Sequence, residues 1–296
     1  MVFLGACSFG ILSTFVKLAY KDGFSVGEVT GVQVFFGLVV LWTIVLLRRL
    51  FGGTGQSTTL REKLSLVAMG TSSGMVSIFY YQCVQAVPAS IAILLLMQFT
   101  WMSLVLDAVI SRKLPSRLQV GTVALVLFGT ALAGRMFSGN IPDFDLMGVI
   151  YGLLSAFFYT IFLMINGKAG NNLHPTLKSA LMLTGSCVLI FTVFPPGFLV
   201  DGALADGLFK WGLVLALFGT VIPPLFYAYG VPKTGLGLSA ILSAAELPVA
   251  VLMSSVVLQE EVWAVQWLGV LIIVVAIILS NIKSLRQRRG QKAVAA

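Results

Sequence analysis

One acidic residue, Glu246, lies near the middle of a long apolar run, residues 235–258. At the centre of a bilayer an acidic side chain costs roughly 2.5–3.5 kcal/mol on insertion scales, so it must face a cavity or a partner. Two chemistries fit it: an anchor for a ligand's ammonium group, or a proton site. A protonated or paired structural carboxyl is the plain alternative. Gln98 holds the comparable place in an earlier run, 88–110. A neutral amide opposite an acid suits an asymmetric, zwitterionic ligand. Trp101 is one turn beyond Gln98 on the same helical face, placed to stack on an aromatic ligand. Ser73 and Ser77 are one turn apart, with Tyr80 and Tyr81 a turn further. That stripe serves a ligand or, equally, helix packing through small residues. Tyr159, among Tyr151, Phe157, Phe158 and Phe162, adds a ring, and Ser77 and Ser243 are expected deeper in the same cavity. Pro223, Pro224 and Pro248 each remove a backbone donor. They read as packing kinks or as hinges that bare carbonyls to a cavity.

The elements that must position these residues follow from composition. The 296 residues are 58% hydrophobic and 10% charged, with a mean hydropathy of +1.00. Soluble domains run at about 45–50% apolar and about 25% charged, and disorder needs the opposite balance. Ten apolar runs, 2–20, 26–47, 64–85, 88–110, 118–134, 146–167, 177–195, 209–230, 235–258 and 264–282, are long enough to cross a hydrocarbon core of about 30 Å. None shows the alternation of a barrel strand. Turn chemistry divides them at Gly52-Gly53-Thr54-Gly55, Ser138-Gly139-Asn140-Ile141-Pro142 and Pro195-Pro196-Gly197. The expected fold is therefore an all-α integral membrane protein of ten transmembrane helices. With the N-terminus in the cytoplasm, the 19 Lys and Arg residues divide fifteen inside to four outside, the sense of the positive-inside rule. Both termini are then cytoplasmic, and the basic segment from Lys283 to Lys292 lies against an anionic inner leaflet.

Sliding the chain on itself by 148 positions aligns Ala92-Ile93-Leu94 with Ala240-Ile241-Leu242, and Gly121 with Gly269. Gln98 falls on Glu246, and Phe79-Tyr80-Tyr81 on Tyr227-Ala228-Tyr229. Two five-helix repeats result, 1–138 and 139–285, followed by a tail, 286–296. Five is odd, so the second repeat enters the membrane inverted, the architecture of secondary transporters with a midplane site between repeats. Inversion places Tyr80 and Tyr81 at one mouth of the cavity and Tyr227 and Tyr229 at the other. There they act as gates or as ordinary interfacial tyrosines.

A family resemblance rests on Gly237-Leu238-Ser239-Ala240-Ile241-Leu242, Glu246-Leu247-Pro248-Val249-Ala250, Leu258-Gln259-Glu260-Glu261 and Gln266-Trp267-Leu268-Gly269-Val270. Pro88-Ala89-Ser90-Ile91-Ala92 and Gly121-Thr122-Val123 repeat it in the first half. The chain resembles EamA-type proteins of the drug/metabolite transporter superfamily, most closely YddG-type aromatic amino-acid exporters. The resemblance implies ten helices in two inverted repeats, cytoplasmic termini and export of small metabolites across the plasma (inner) membrane. Where the family often shows Pro in helix four and an acid after it, this chain has Thr100 and Ser111-Arg112-Lys113.

Other classes fit less well. No nucleotide-binding, metalloprotease, nucleophile-elbow or paired-cysteine motif occurs, so neither an ATP-driven pump nor an enzyme is expected, and no cofactor or metal. Cys7, Cys83 and Cys187 are isolated in apolar surroundings. The net charge of +8 is membrane-facing and calls for no nucleic acid. The expected partners are a small-molecule substrate and the bilayer, and a monomer suffices. Efflux of cationic drugs, with Glu246 as anchor, and transport of nucleotide sugars are the competing readings, and an intramembrane enzyme or assembly factor is a remote one.

Overall fold

A chain in lipid satisfies its backbone groups internally, which favours helices, and among the described residues all regular structure is helical. The structure, a computed structural model, describes residues 1–51, 59–87, 89–134 and 145–294. The turns expected at 52–55 and 138–142, with Pro88, Arg135 and Asp143, lie outside them.

In order the helices are α1 (Val2–Lys21), α2 (Val26–Leu50), α3 (Leu60–Ala86), α4 (Ala89–Leu96), α5 (Phe99–Ser111), α6 (Arg117–Ala133) and α7 (Leu146–Lys168). Then follow α8 (Pro175–Val193), α9 (Phe209–Leu215), α10 (Ile222–Thr234), α11 (Leu236–Ser243), α12 (Glu246–Val257) and α13 (Ala264–Val294). Among the described residues, eight helical stretches are long and apolar enough to cross a membrane, with Ile91–Ser111, Leu204–Thr234 and Leu236–Val257 each counting as one. Arg117–Ala133 and Ala264–Ser280 are shorter apolar helices.

Side-chain caps set several helix starts. Ser25 and Glu28, Thr59 and Glu62, and Ser116 and Gln119 form reciprocal capping boxes at α2, α3 and α6. Asp145 and His174 accept from Met147 N and Thr176 N at α7 and α8. Packing is closest where glycine allows it. A methyl group at Gly70 on α3 or Gly185 on α8 would run into the carbonyls of Met182 and Val67, so these backbones touch through small residues. Phe99, Tyr159, Phe162 and Tyr227 belong to the main buried cluster, which also takes in Ala6 on α1 and Ile241 on α11.

Lys178, near the start of α8, is enclosed by the fold. Only 1% of it is exposed, and its ammonium donates to the Asn166 carbonyl at 2.7 Å and to Asn171 Oδ1 at 3.1 Å. It caps the C-terminal end of α7, where a cation meets the negative end of the helix dipole.

Candidate functional site

Two long apolar stretches break at corresponding places. α4 gives way to α5 at Met97–Gln98, and α11 to α12 at Ala244–Ala245. The 148-residue offset places Met97 and Gln98 on Ala245 and Glu246. Paired interruptions in the two halves of a chain mark a binding site between them.

The second break makes Glu246 the first residue of α12, where an acid meets the positive end of the helix dipole. Its Oε2 is buried and has no hydrogen-bond partner. The residue lines a cavity of about 770 Å³ together with residues of α1, α2, α3, α7 and α10. The backbones close in beside it: a Cβ on Gly10 of α1 would stand 2.5 Å from the Glu246 carbonyl oxygen.

The cavity ends on aromatic rings. Tyr159 and Phe162 line it, and the Tyr159 ring lies 4.5 Å from Phe99 and 6.3 Å from Phe9 between centroids. Behind them the buried Tyr227 shares a 2.9 Å hydrogen bond with the Tyr159 hydroxyl. The other end is polar and open, lined by Lys17, Glu260, Glu261 and Trp263. Lys17 Nζ reaches both Glu260 oxygens at 3.4 Å, and the Ser254 hydroxyl donates to Glu260. Partial burial opposes the charge on Glu260, but the Ser254 hydroxyl and Lys17 ammonium hold its carboxyl below the usual carboxylate range. At the same end of α1, Trp211 Nε1 donates to Asp22 at 3.0 Å and Lys210 pairs with it at 3.3 Å. These contacts hold the Asp22 carboxyl below its ordinary value.

One wall is irregular backbone. A π-helical turn, Ala216–Val221, runs into α10, whose second and third residues are Pro223 and Pro224. The carbonyls of Gly219 and Thr220 therefore lose their usual donors four residues on, and Gly219, Thr220 and Pro224 line the cavity. The Ser8 hydroxyl donates to the neighbouring Phe218 carbonyl at 2.8 Å. Packed against this wall, Gln33 accepts from the Tyr81 hydroxyl at 3.3 Å, and Thr220 donates to its main-chain carbonyl at 3.1 Å.

Of the residues singled out in the sequence, Glu246, Ser73, Ser77, Tyr80, Tyr81, Tyr159, Phe162 and Pro224 line this cavity. Gln98 and Trp101 do not. They bond to each other, Trp101 Nε1 donating to Gln98 Oε1 at 2.9 Å, and Trp101 is 40% exposed. Ser243 is buried and donates to the Ser239 carbonyl. Tyr227 lies under the cavity, whereas Tyr229 is exposed beneath the Lys233 ammonium. Pro223 is buried, and Pro248 occupies the first turn of α12, past the break itself. Phe9, Thr14, Tyr20 and Gln33 also line the cavity and were not singled out. Gln33, an amide within an apolar run, carried a readable signal; Thr14 did not.

The model of the EamA-like transporter family matches residues 1–135 and again 146–282. The chain is 21% identical over 274 residues to the "Uncharacterized transporter sll1319" of Synechocystis sp., covering 87% of this chain and 82% of that one. A crystal structure of a protein 14% identical superposes with a TM-score of 0.74 over 95% of this chain and 97% of the other.

Proposed function

The chain belongs to the EamA-like transporter family, and from that premise we propose that this multi-pass membrane transporter exports amino acids, aromatic ones included. The observation that carries the reading is Glu246: a buried carboxylate in the wall of an aromatic-lined cavity. A carboxylate with no protein partner suits a substrate ammonium, and the rings of Phe9, Tyr80, Tyr159 and Phe162 suit an apolar or aromatic side chain. Substrate likeness to YddG-type exporters rests on the same features.

In this reading the two family repeats are inverted, the chain crosses the plasma (inner) membrane ten times and both termini are cytoplasmic. Lys17, Glu260 and Trp263 then surround an extracellular mouth, and the ring cluster at Tyr159 and Tyr227 closes the cytoplasmic side. Alternating access exchanges this arrangement for its mirror, closing the mouth while the rings part. The paired breaks at Met97–Gln98 and Ala244–Ala245 support that exchange, because matching segments in inverted copies can trade conformations.

Efflux of organic cations is the second reading. Among the described residues, Glu246, Glu260 and Glu261 line the cavity against one lining cation, Lys17, a balance that disfavours nucleotide sugars and other anions. Reconstituted vesicles offered amino acids, cationic dyes and nucleotide sugars in parallel test the proposal. Uptake of aromatic amino acids, abolished in Glu246→Gln, is expected. Flux of dyes alone would favour the second reading.

A further inference from the structure

Three buried polar atoms without a hydrogen-bond partner belong to residues lining this same cavity: Glu246 Oε2, Thr14 Oγ1 and the Tyr20 hydroxyl. Buried polar groups are paired in most proteins, and a cluster of orphans calls for an explanation. The three differ in what they lack. An ionised carboxylate oxygen only accepts, so Glu246 lacks a donor; each hydroxyl has a proton to give and lacks an acceptor.

Their arrangement separates the two needs along α1. Gly10 packs against the first turn of α12, at the level of Glu246. Thr14 is about 6 Å further along the helix at 1.5 Å per residue. Lys17 and Tyr20 follow at intervals of three residues, near one side of α1, and both line the cavity. Helical side chains lean back toward the N-terminus, which brings the Tyr20 hydroxyl toward Thr14. Tyr20 packs in the cluster that also holds Tyr80, Tyr81 and Phe9. An acceptor thus lies at the deep end, and two donors and an ammonium are carried by residues about one to three turns toward the mouth.

We infer that the cavity holds a zwitterion in one orientation: ammonium on Glu246, carboxylate on the Thr14 and Tyr20 hydroxyls, in the field of Lys17. The inference rests on the amino-acid reading above and names the residues that set its specificity. Sites built to hydrogen-bond a substrate group discriminate against analogues lacking it, because their own polar atoms are then left unpaired. Tryptophan and tryptamine share ring and amine and differ by the carboxylate, so their flux ratio reports on Thr14 and Tyr20.

The experiment measures counterflow of labelled tryptophan and tryptamine in vesicles bearing wild type, Thr14→Val, Tyr20→Phe or Glu246→Gln. Both hydroxyl substitutions are near-isosteric, and thermal unfolding in detergent verifies that each variant is folded. Thr14→Val and Tyr20→Phe are expected to lower the tryptophan-to-tryptamine ratio about tenfold each, whereas Glu246→Gln lowers both fluxes. Tryptophan transport with an unaltered ratio in both hydroxyl variants overturns the orientation and leaves amino-acid export standing. Tryptamine flux without tryptophan flux in the folded wild type overturns both.

Discussion

The hydroxyls of Tyr159 and Tyr227 meet at 2.9 Å, joining α7 to α10 at the closed end of the cavity. Both residues are buried, so removing one hydroxyl takes a buried hydrogen bond from the other. Tyr159→Phe and Tyr227→Phe should each lower stability by about 1 kcal/mol, near the upper range for hydrogen bonds within membrane helices. The double variant should recover much of that loss, since apolar replacement of both partners is nearly neutral. A double-mutant cycle on thermal unfolding in detergent measures the coupling. Strictly additive losses would show that the pair holds nothing together.

Glu246→Gln separates function from folding. The amide keeps the shape and removes a charge that has no partner in the protein. Unfolding temperature should be unchanged or raised, while amino-acid flux in vesicles falls at least tenfold. Full flux in a folded Glu246→Gln protein would remove Glu246 from the binding site.

How far the sequence could lead differs between the helices and the site. Helix positions followed from hydropathy, while the caps at Ser25, Thr59 and Ser116 that start α2, α3 and α6 emerge with the structure. The interruptions inside the spans did not follow from hydropathy. Met97–Gln98 and Ala244–Ala245 contain neither Gly nor Pro, and Pro248 stands beyond its break. Neighbouring helices impose those turns, and a local pattern carries no trace of them. Position along a helix also misled where facing decides. Tyr227 and Tyr229 are two residues apart, so one turns into the ring cluster and the other to the surface under Lys233. Lys178 shows the same limit, because charge in a sequence gives no sign of what carbonyl will meet it.

Lys178 should prove structural. It is enclosed and its two acceptors, the Asn166 carbonyl and Asn171 Oδ1, are named by the geometry. Lys178→Ala leaves a void and an unpaired buried carbonyl, with a loss of roughly 2–4 kcal/mol. Lys178→Met fills the space, and because it also removes a buried charge its loss should be smaller. Thermal unfolding of the two variants checks the order. Equal losses would mean that volume plays no part.

The tie at the mouth responds to acid. The Glu260 carboxyl titrates below its ordinary value in the folded protein, against about 4.3 when unfolded. Its contribution is therefore complete above about pH 4.3 and disappears as pH falls through the lower folded value. Both partners are partly exposed, Lys17 at 38% and Glu260 at 44%, so the effect is small. Glu260→Gln should flatten the fall in unfolding temperature between pH 5 and 3 relative to wild type. An unchanged slope would show that the Lys17 and Ser254 contacts do not persist in solution.

Gly10 links helix packing to the site. A Cβ there would meet the Glu246 carbonyl oxygen at 2.5 Å and Val249 Cβ at 2.7 Å. The first of these is backbone at the start of α12, which cannot rotate away as a side chain can. Gly10→Ala must therefore push α1 from the turn that presents the Glu246 carboxylate. A displacement of even about 1 Å at a binding constellation lowers activity substantially, while overpacking of this kind destabilises by about 1–3 kcal/mol. Gly121 on α6 provides the control, since a Cβ there meets nothing within 4 Å, and alanine favours the helix by about 1 kcal/mol over glycine. Gly10→Ala should reduce amino-acid flux per folded molecule several-fold, and Gly121→Ala should leave it unchanged. If Gly10→Ala lowers unfolding temperature but transports normally, the close approach of α1 and α12 serves packing alone.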